Sequence, residues 1–135
     1  MRTVTVSASR TLALALLIFS VAACAAFRPG PAEIVESFYR HLEAGEIDRA
    51  IDLLSVSTTQ VYGREKIQAL LAEQSRSMRS KGAFQIAIIS ESVTGDVAEV
   101  VARVSVGNPL GDGSTKNETT KLIRENGDWR ITADK

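Results

Sequence analysis

The sequence predicts an α+β domain, three N-terminal helices followed by a four-stranded, mainly antiparallel sheet. Three observations carry this expectation. Apolar residues recur at helical spacing from about residue 31 to residue 80, then at every second position from residue 83 onward. Gly82 stands where the period changes, a residue suited to stopping a helix. Asn126-Gly127 separates two alternating runs, the signature of a two-residue hairpin turn. Helices and strands segregated along the chain in this way define the α+β class. A length of 135 residues leaves room for one such domain.

Residues 1–23 have the layout of a signal peptide. Arg2 and Arg10 give a positive start, Thr11 to Phe19 is apolar, and Ser20-Val21-Ala22-Ala23-Cys24 follows. The apolar run is shorter than the about 20 residues that span a bilayer, and it matches an export signal. Two other readings stay open from the residues alone: an ordinary secretory signal cut after Ala23 or Ala26, and a cysteine buried in a helix. Cys24 is the only cysteine, so it forms no internal disulfide and no thiolate metal cluster. Residues 24–31 form a short tether, whose last seven residues reach at most about 25 Å, and 32–135 form the domain. Without the leader the chain keeps 14 basic and 16 acidic residues, a net charge of −2, with no long basic run. That balance argues against a nucleic-acid partner.

The spacing predicts a first helix over 31–44. Pro31 suits its first position and Gly45 its C′ position, and Ile34, Val35, Phe38 and Leu42 make its apolar stripe. Glu33 and Glu36 near its start and Arg40 near its end complement the helix dipole. A second helix over 47–54 turns Ile47, Ala50, Ile51 and Leu54 inward. Residues 55–63 are polar and β-branched and read as a loop. A third helix over 64–80 is expected to bury Ile67, Leu70, Leu71 and Met78. Strands then follow over 83–93, 97–106, 115–124 and 128–132. A turn at Thr94-Gly95-Asp96 and a glycine-rich connection over 107–114 join the first three. The hairpin at Asn126-Gly127 sets Arg124 opposite Trp129 and Leu122 opposite Ile131.

Two resemblances add to this. Val21-Ala22-Ala23-Cys24 resembles a bacterial lipobox, which implies that the Cys24 thiol carries a diacylglyceryl group and anchors the chain to a membrane of the cell envelope. In Gram-negative sorting, Ala25 in place of an aspartate after that cysteine implies the periplasmic face of the outer membrane. The mature chain resembles the nuclear transport factor 2-like (NTF2-like) superfamily, in particular its small bacterial lipoproteins with a domain of unknown function. The resemblance lies in Pro31-Ala32-Glu33-Ile34-Val35-Glu36-Ser37-Phe38-Tyr39, in the run from Ala44 to Ser55, and in the run from Thr120 to Ile131. It implies a curved sheet wrapped as a cone around a long helix, and it specifies function poorly, since this fold hosts many unrelated activities.

Enzymes of that superfamily use carboxylates, His or Tyr projecting into the cone. The strand residues expected inside are Phe84, Ile86, Ile88, Ala98, Val100, Ala102, Val104, Leu122, Trp129 and Ile131, none of them ionisable. His41 lies beside the stripe of the first helix, and Asp48 and Asp52, one turn apart, read as a solvent face. Tyr39, His41, Tyr62 and Trp129 are the candidate pocket residues, with no catalytic set, no metal site and no cofactor expected. The leading expectation is a membrane-anchored, non-enzymatic binding or scaffolding module with an apolar interior that takes a small apolar ligand. The competing expectation is an isomerase or dehydratase-type enzyme using Tyr39, His41 or Asp52. Val97 and Val101, flanked by Glu99 and Arg103 on the outer strand face, suit a two-fold contact between copies.

Overall fold

The computed structural model describes residues 27–108, 111 and 113–133. The signal peptide expected over residues 1–23 and the lipidation expected at Cys24 lie outside the described residues. Helix α1 (Pro31–Ala44) starts with Pro31 at the first position. It ends at Gly45, where φ is 76° and the N–H bonds to the Leu42 carbonyl at 3.1 Å. The left-handed backbone at that point is the reason glycine stands there. Gly30 offers no side-chain cap at the other end. Instead a carboxylate from the sheet, Glu91 Oε2, accepts the Ala32 N–H at 2.8 Å. Ile34, Val35, Tyr39 and Leu42 form the buried face.

Helix α2 (Ile47–Asp52) buries Ala50 and Ile51. The stretch after it corrects the sequence expectation, because 55–63 is not a loop. Helix α3 (Val56–Tyr62) occupies it, making four helices in place of three. Ser55 is the cause. It is fully buried, and its Oγ accepts the Thr58 N–H at 3.2 Å and donates to Thr58 Oγ1 at 2.8 Å. Glu125 adds its carboxylate to the Val56 N–H at 3.2 Å. Ser55→Ala is therefore expected to lower folding stability by about 1–2 kcal/mol, measurable as a shifted urea midpoint at unchanged slope.

Helix α4 (Arg64–Ser80) buries Ile67, Ser75 and Met78. Leu70, expected inside, is 59% exposed. The helix is rotated so that Ser75 enters the core and donates to the Leu42 carbonyl at 2.5 Å, which carries Leu70 to the solvent side. Among the described residues no helix is long and apolar enough to cross a membrane.

The sheet runs β1 (Phe84–Thr94), β2 (Val97–Val106), β3 (Ser114–Glu125) and β4 (Asp128–Thr132), in that spatial order and antiparallel throughout. Asn126 and Gly127 both have positive φ, 51° and 82°, as the tight hairpin requires. The register is the expected one, Arg124 opposite Trp129 and Leu122 opposite Ile131. A bulge between Ile88 and Ser90 bends β1. Beyond it the facing of β1 reverses, so Glu91 pairs with Val100 and turns inward toward α1.

The helices lie on the inner face of this curved sheet. Val35, Leu42, Ala50, Val100, Ala102 and Leu122 are completely buried between them, so the middle of the cone is a packed core. The two sheet edges are finished differently. On β4, the Ser55 N–H bonds to the Ile131 carbonyl at 2.7 Å and the Ile131 N–H to the Leu53 carbonyl at 2.9 Å, so the α2–α3 connection covers that edge. Along β1 no backbone bond to a covering segment occurs among the described residues.

Candidate functional site

The side chains with chemistry in them gather at one end of the cone, beside the β2–β3 connection. Tyr39, on the buried face of α1, stacks on Phe84 at 6.0 Å and meets Phe38 edge-on at 5.7 Å. Its ring lines a cavity of about 190 Å³ whose floor is Met78, Val104 and Val106. Around the mouth stand Gln74, Ser77 and Lys81 from α4 and its end, with Lys116 and Glu118 from β3. Lys116 and Glu118 form an ion pair.

The Tyr39 hydroxyl makes no hydrogen bond to another of the described residues; the residue is 9% exposed, and its oxygen is among the atoms left accessible. Burial, and then the charge of Glu118, push its pKa up to about 12. The phenol is thus a neutral donor facing a cavity. A group with a pKa this far above neutrality is poorly matched to proton transfer at ordinary pH.

Of the four residues singled out from sequence, only Tyr39 lines this cavity. His41 is half-buried at the end of α1, with Nδ1 2.6 Å from Glu46 Oε2. Tyr62 is 43% exposed on α3. Trp129 is 7% exposed within the core, with the Arg124 guanidinium 4.6 Å from its ring centroid. Asp48 and Asp52 face solvent and share Arg64, at 3.2 and 3.9 Å. The expectation of no ionisable residue on the inner strand face is corrected by Glu118 and Lys116. They pair with Ala102 and Val104, whose side chains point inward, so they share that face. Their parity with Leu122 on β3 was the available signal. Among the described residues no group of three or more His, Cys, Asp or Glu is placed to hold a metal ion.

A family model described as a domain of unknown function, DUF4878, matches residues 23–132. The chain belongs to this family. No curated protein matches it significantly by sequence. Solved structures do resemble the DUF4878 chain in fold. A Campylobacter jejuni protein with a provisional assignment as an NTF2-like transpeptidase aligns at a TM-score of 0.65 and 15% identity, over 78% of this chain and 100% of that one. A Thiobacillus denitrificans protein, provisionally assigned as a calcium/calmodulin-dependent protein kinase type II association domain, aligns at 0.60 and 17%, over 77% and 90%. An NTF2-like protein from Streptomyces avermitilis with a provisional dehydratase assignment aligns at 0.50 and 18%, over 73% and 88%. At these identities the likeness establishes the fold alone. The DUF4878 domain here has an α+β fold like that of these NTF2-like structures.

Proposed function

We propose that this chain is a membrane-tethered binding module that takes a small amphipathic molecule at the Tyr39 cavity. The observation that carries this reading is the Tyr39 hydroxyl, without a hydrogen bond to another of the described residues and lining a cavity with an apolar floor and a charged rim. Such a donor orients a ligand acceptor, while Met78, Val104 and Val106 take its apolar part; with Lys116 already paired to Glu118, Lys81, which has no ion pair among the described residues, favours an anionic end. The cavity is below the roughly 300–1,000 Å³ usual for small-molecule sites, so it suits a short chain or one end of a longer molecule. The tether is the lipid anchor expected at Cys24. The enzyme reading gains less support: Tyr39 is held protonated, and His41 and Asp52 do not line this cavity.

Short-chain carboxylates from butyrate to octanoate are the probes of choice, titrated calorimetrically into the purified full chain. Native mass spectrometry of the same preparation looks for a retained small molecule. Tyr39→Phe removes one oxygen and should weaken carboxylate binding about tenfold, the value of one hydrogen bond near 1.4 kcal/mol. No heat with any probe, together with no retained molecule, would sink the reading. The same variant has a pH signature. The folded state raises the Tyr39 pKa above its ordinary 10.0, so its contribution is intact below pH 10.0 and is lost as pH climbs toward about 12. Tyr39→Phe should flatten that alkaline loss of stability.

A further inference from the structure

The edge formed by β1 is open in three senses. The Gly107 N–H bonds to the Ala83 carbonyl at 2.8 Å, which fixes the phase of the β1–β2 ladder. In an antiparallel pair the bonded residues alternate, so the backbone groups of Phe84, Ile86 and Ile88 point away from β2. None of the described residues bonds them. The side chains of these same three residues are only half-buried, whereas their neighbours Ala102 and Val104 on β2 are 0% and 5% exposed. Finally, a groove of about 540 Å³ runs along this edge, lined by Phe84, Ile86 and Ala87, by Arg40 and Glu43 of α1, and by Arg103.

Charge identifies the occupant. Arg40 and Glu43 lie three residues apart and flank the groove with opposite signs. Glu43 has no ion-pair partner among the described residues, and Arg40 has only a long, exposed contact to Glu36 at 3.7 Å. Arg103 sits with Ala87 on the outer face, so the charges α1 brings to the inner side are Arg40 and Glu43 alone. Such a pair is self-complementary under a two-fold axis, which reverses their order and sets each Arg40 against the other copy's Glu43. We propose that β1 is the docking edge for a second copy of this chain. The two β1 strands pair antiparallel over Phe84–Ile88 to give a continuous eight-stranded sheet, with Arg40 and Glu43 crossing at its rim. The bulge after Ile88 ends the straight stretch available for pairing. Because the β4 edge is already covered, assembly closes at two copies and does not grow.

Sedimentation equilibrium of the full chain in density-matched detergent, up to tens of micromolar, tests this. The parent should be dimeric. Arg40→Glu and Glu43→Arg should each weaken the dimer about tenfold or more by placing like charges in register. The doubly exchanged chain, with both substitutions, should dimerise as the parent does. Val101→Lys, on the outer face of the sheet, should have no effect. A monomeric parent overturns the proposal. So does a dimer indifferent to both charge reversals, or one that Val101→Lys dissociates while the reversals do not.

Discussion

Trp129→Ala is expected to remove about 3–5 kcal/mol of folding stability, the usual cost of emptying a large aromatic site in a packed core. Trp129 projects from β4 into the cluster that includes Val35, Leu42 and Leu122, and it is 7% exposed. Its ring also supports Arg124, directly opposite across the hairpin and 4.6 Å from the ring centroid. β4 is only five residues long and owes its position to this side chain and to the backbone bonds from the α2–α3 connection. Losing the ring therefore loosens the hairpin and the cover over Ile131 together. Trp129 is the only tryptophan, so the comparison must use far-UV circular dichroism in place of fluorescence. The melting temperature should fall by more than about 10 °C. A fall of a degree or two would mean that the ring is exposed and the register displaced by one.

The hairpin was legible because its turn chemistry is local. Asn126-Gly127 demands positive φ, and positive φ at both positions fixes the register of everything that follows. The ends of α1 were legible for the same reason, with Pro31 and Gly45 each specifying one backbone conformation. Helix α3 was not legible. Ser55 caps it locally, but Val-Ser-Thr-Thr has weak helix propensity, and the rest of what holds that turn is tertiary. Glu125 reaches it from β3, and the Ala133 N–H bonds back to Thr58 Oγ1 at 3.0 Å. Neither partner is near in sequence. The rotation of α4 that exposes Leu70 follows from a similar long-range bond, Ser75 to Leu42.

The site was half legible. Tyr39 was visible as an aromatic on a helix stripe, but nothing local says that its hydroxyl lacks a partner. Glu118 and Lys116 follow from strand parity, and polar residues on both faces of β3 hid the alternation that would have marked them. Glu91 could not have been read at all. Its inward direction depends on the bulge after Ile88, and that bulge has no glycine to announce it.

Cys24→Ser carries the largest expected change in behaviour, because it removes the proposed lipid anchor. A thioether-linked diacylglyceryl group contributes about 0.8 kcal/mol for each buried methylene, and two chains anchor stably where one does not. A serine oxygen cannot replace the thiolate nucleophile in that transfer. Metabolic labelling with a fatty-acid probe should mark the parent and leave Cys24→Ser dark. If another peptidase still cuts the leader, the domain should move to the soluble fraction. The proposed anchor would also give the domain a direction. Arg28 is fixed to the β3–β4 turn, where its Nη1 donates to the Asn126 carbonyl at 3.2 Å and lies 3.8 Å from Asp128. From there to Cys24 only four residues remain, about 14 Å at full extension. With the lipid anchor proposed above, the β3–β4 turn and the β1–β2 turn beside it would face the bilayer. The Tyr39 cavity opens beside Val106 and Ser114, at the opposite end of the strands, and in that proposal would face away from the membrane. Continued label incorporation in Cys24→Ser would place the lipid elsewhere, an unlabelled parent would mean no lipid at all, and with either result this orientation would fall.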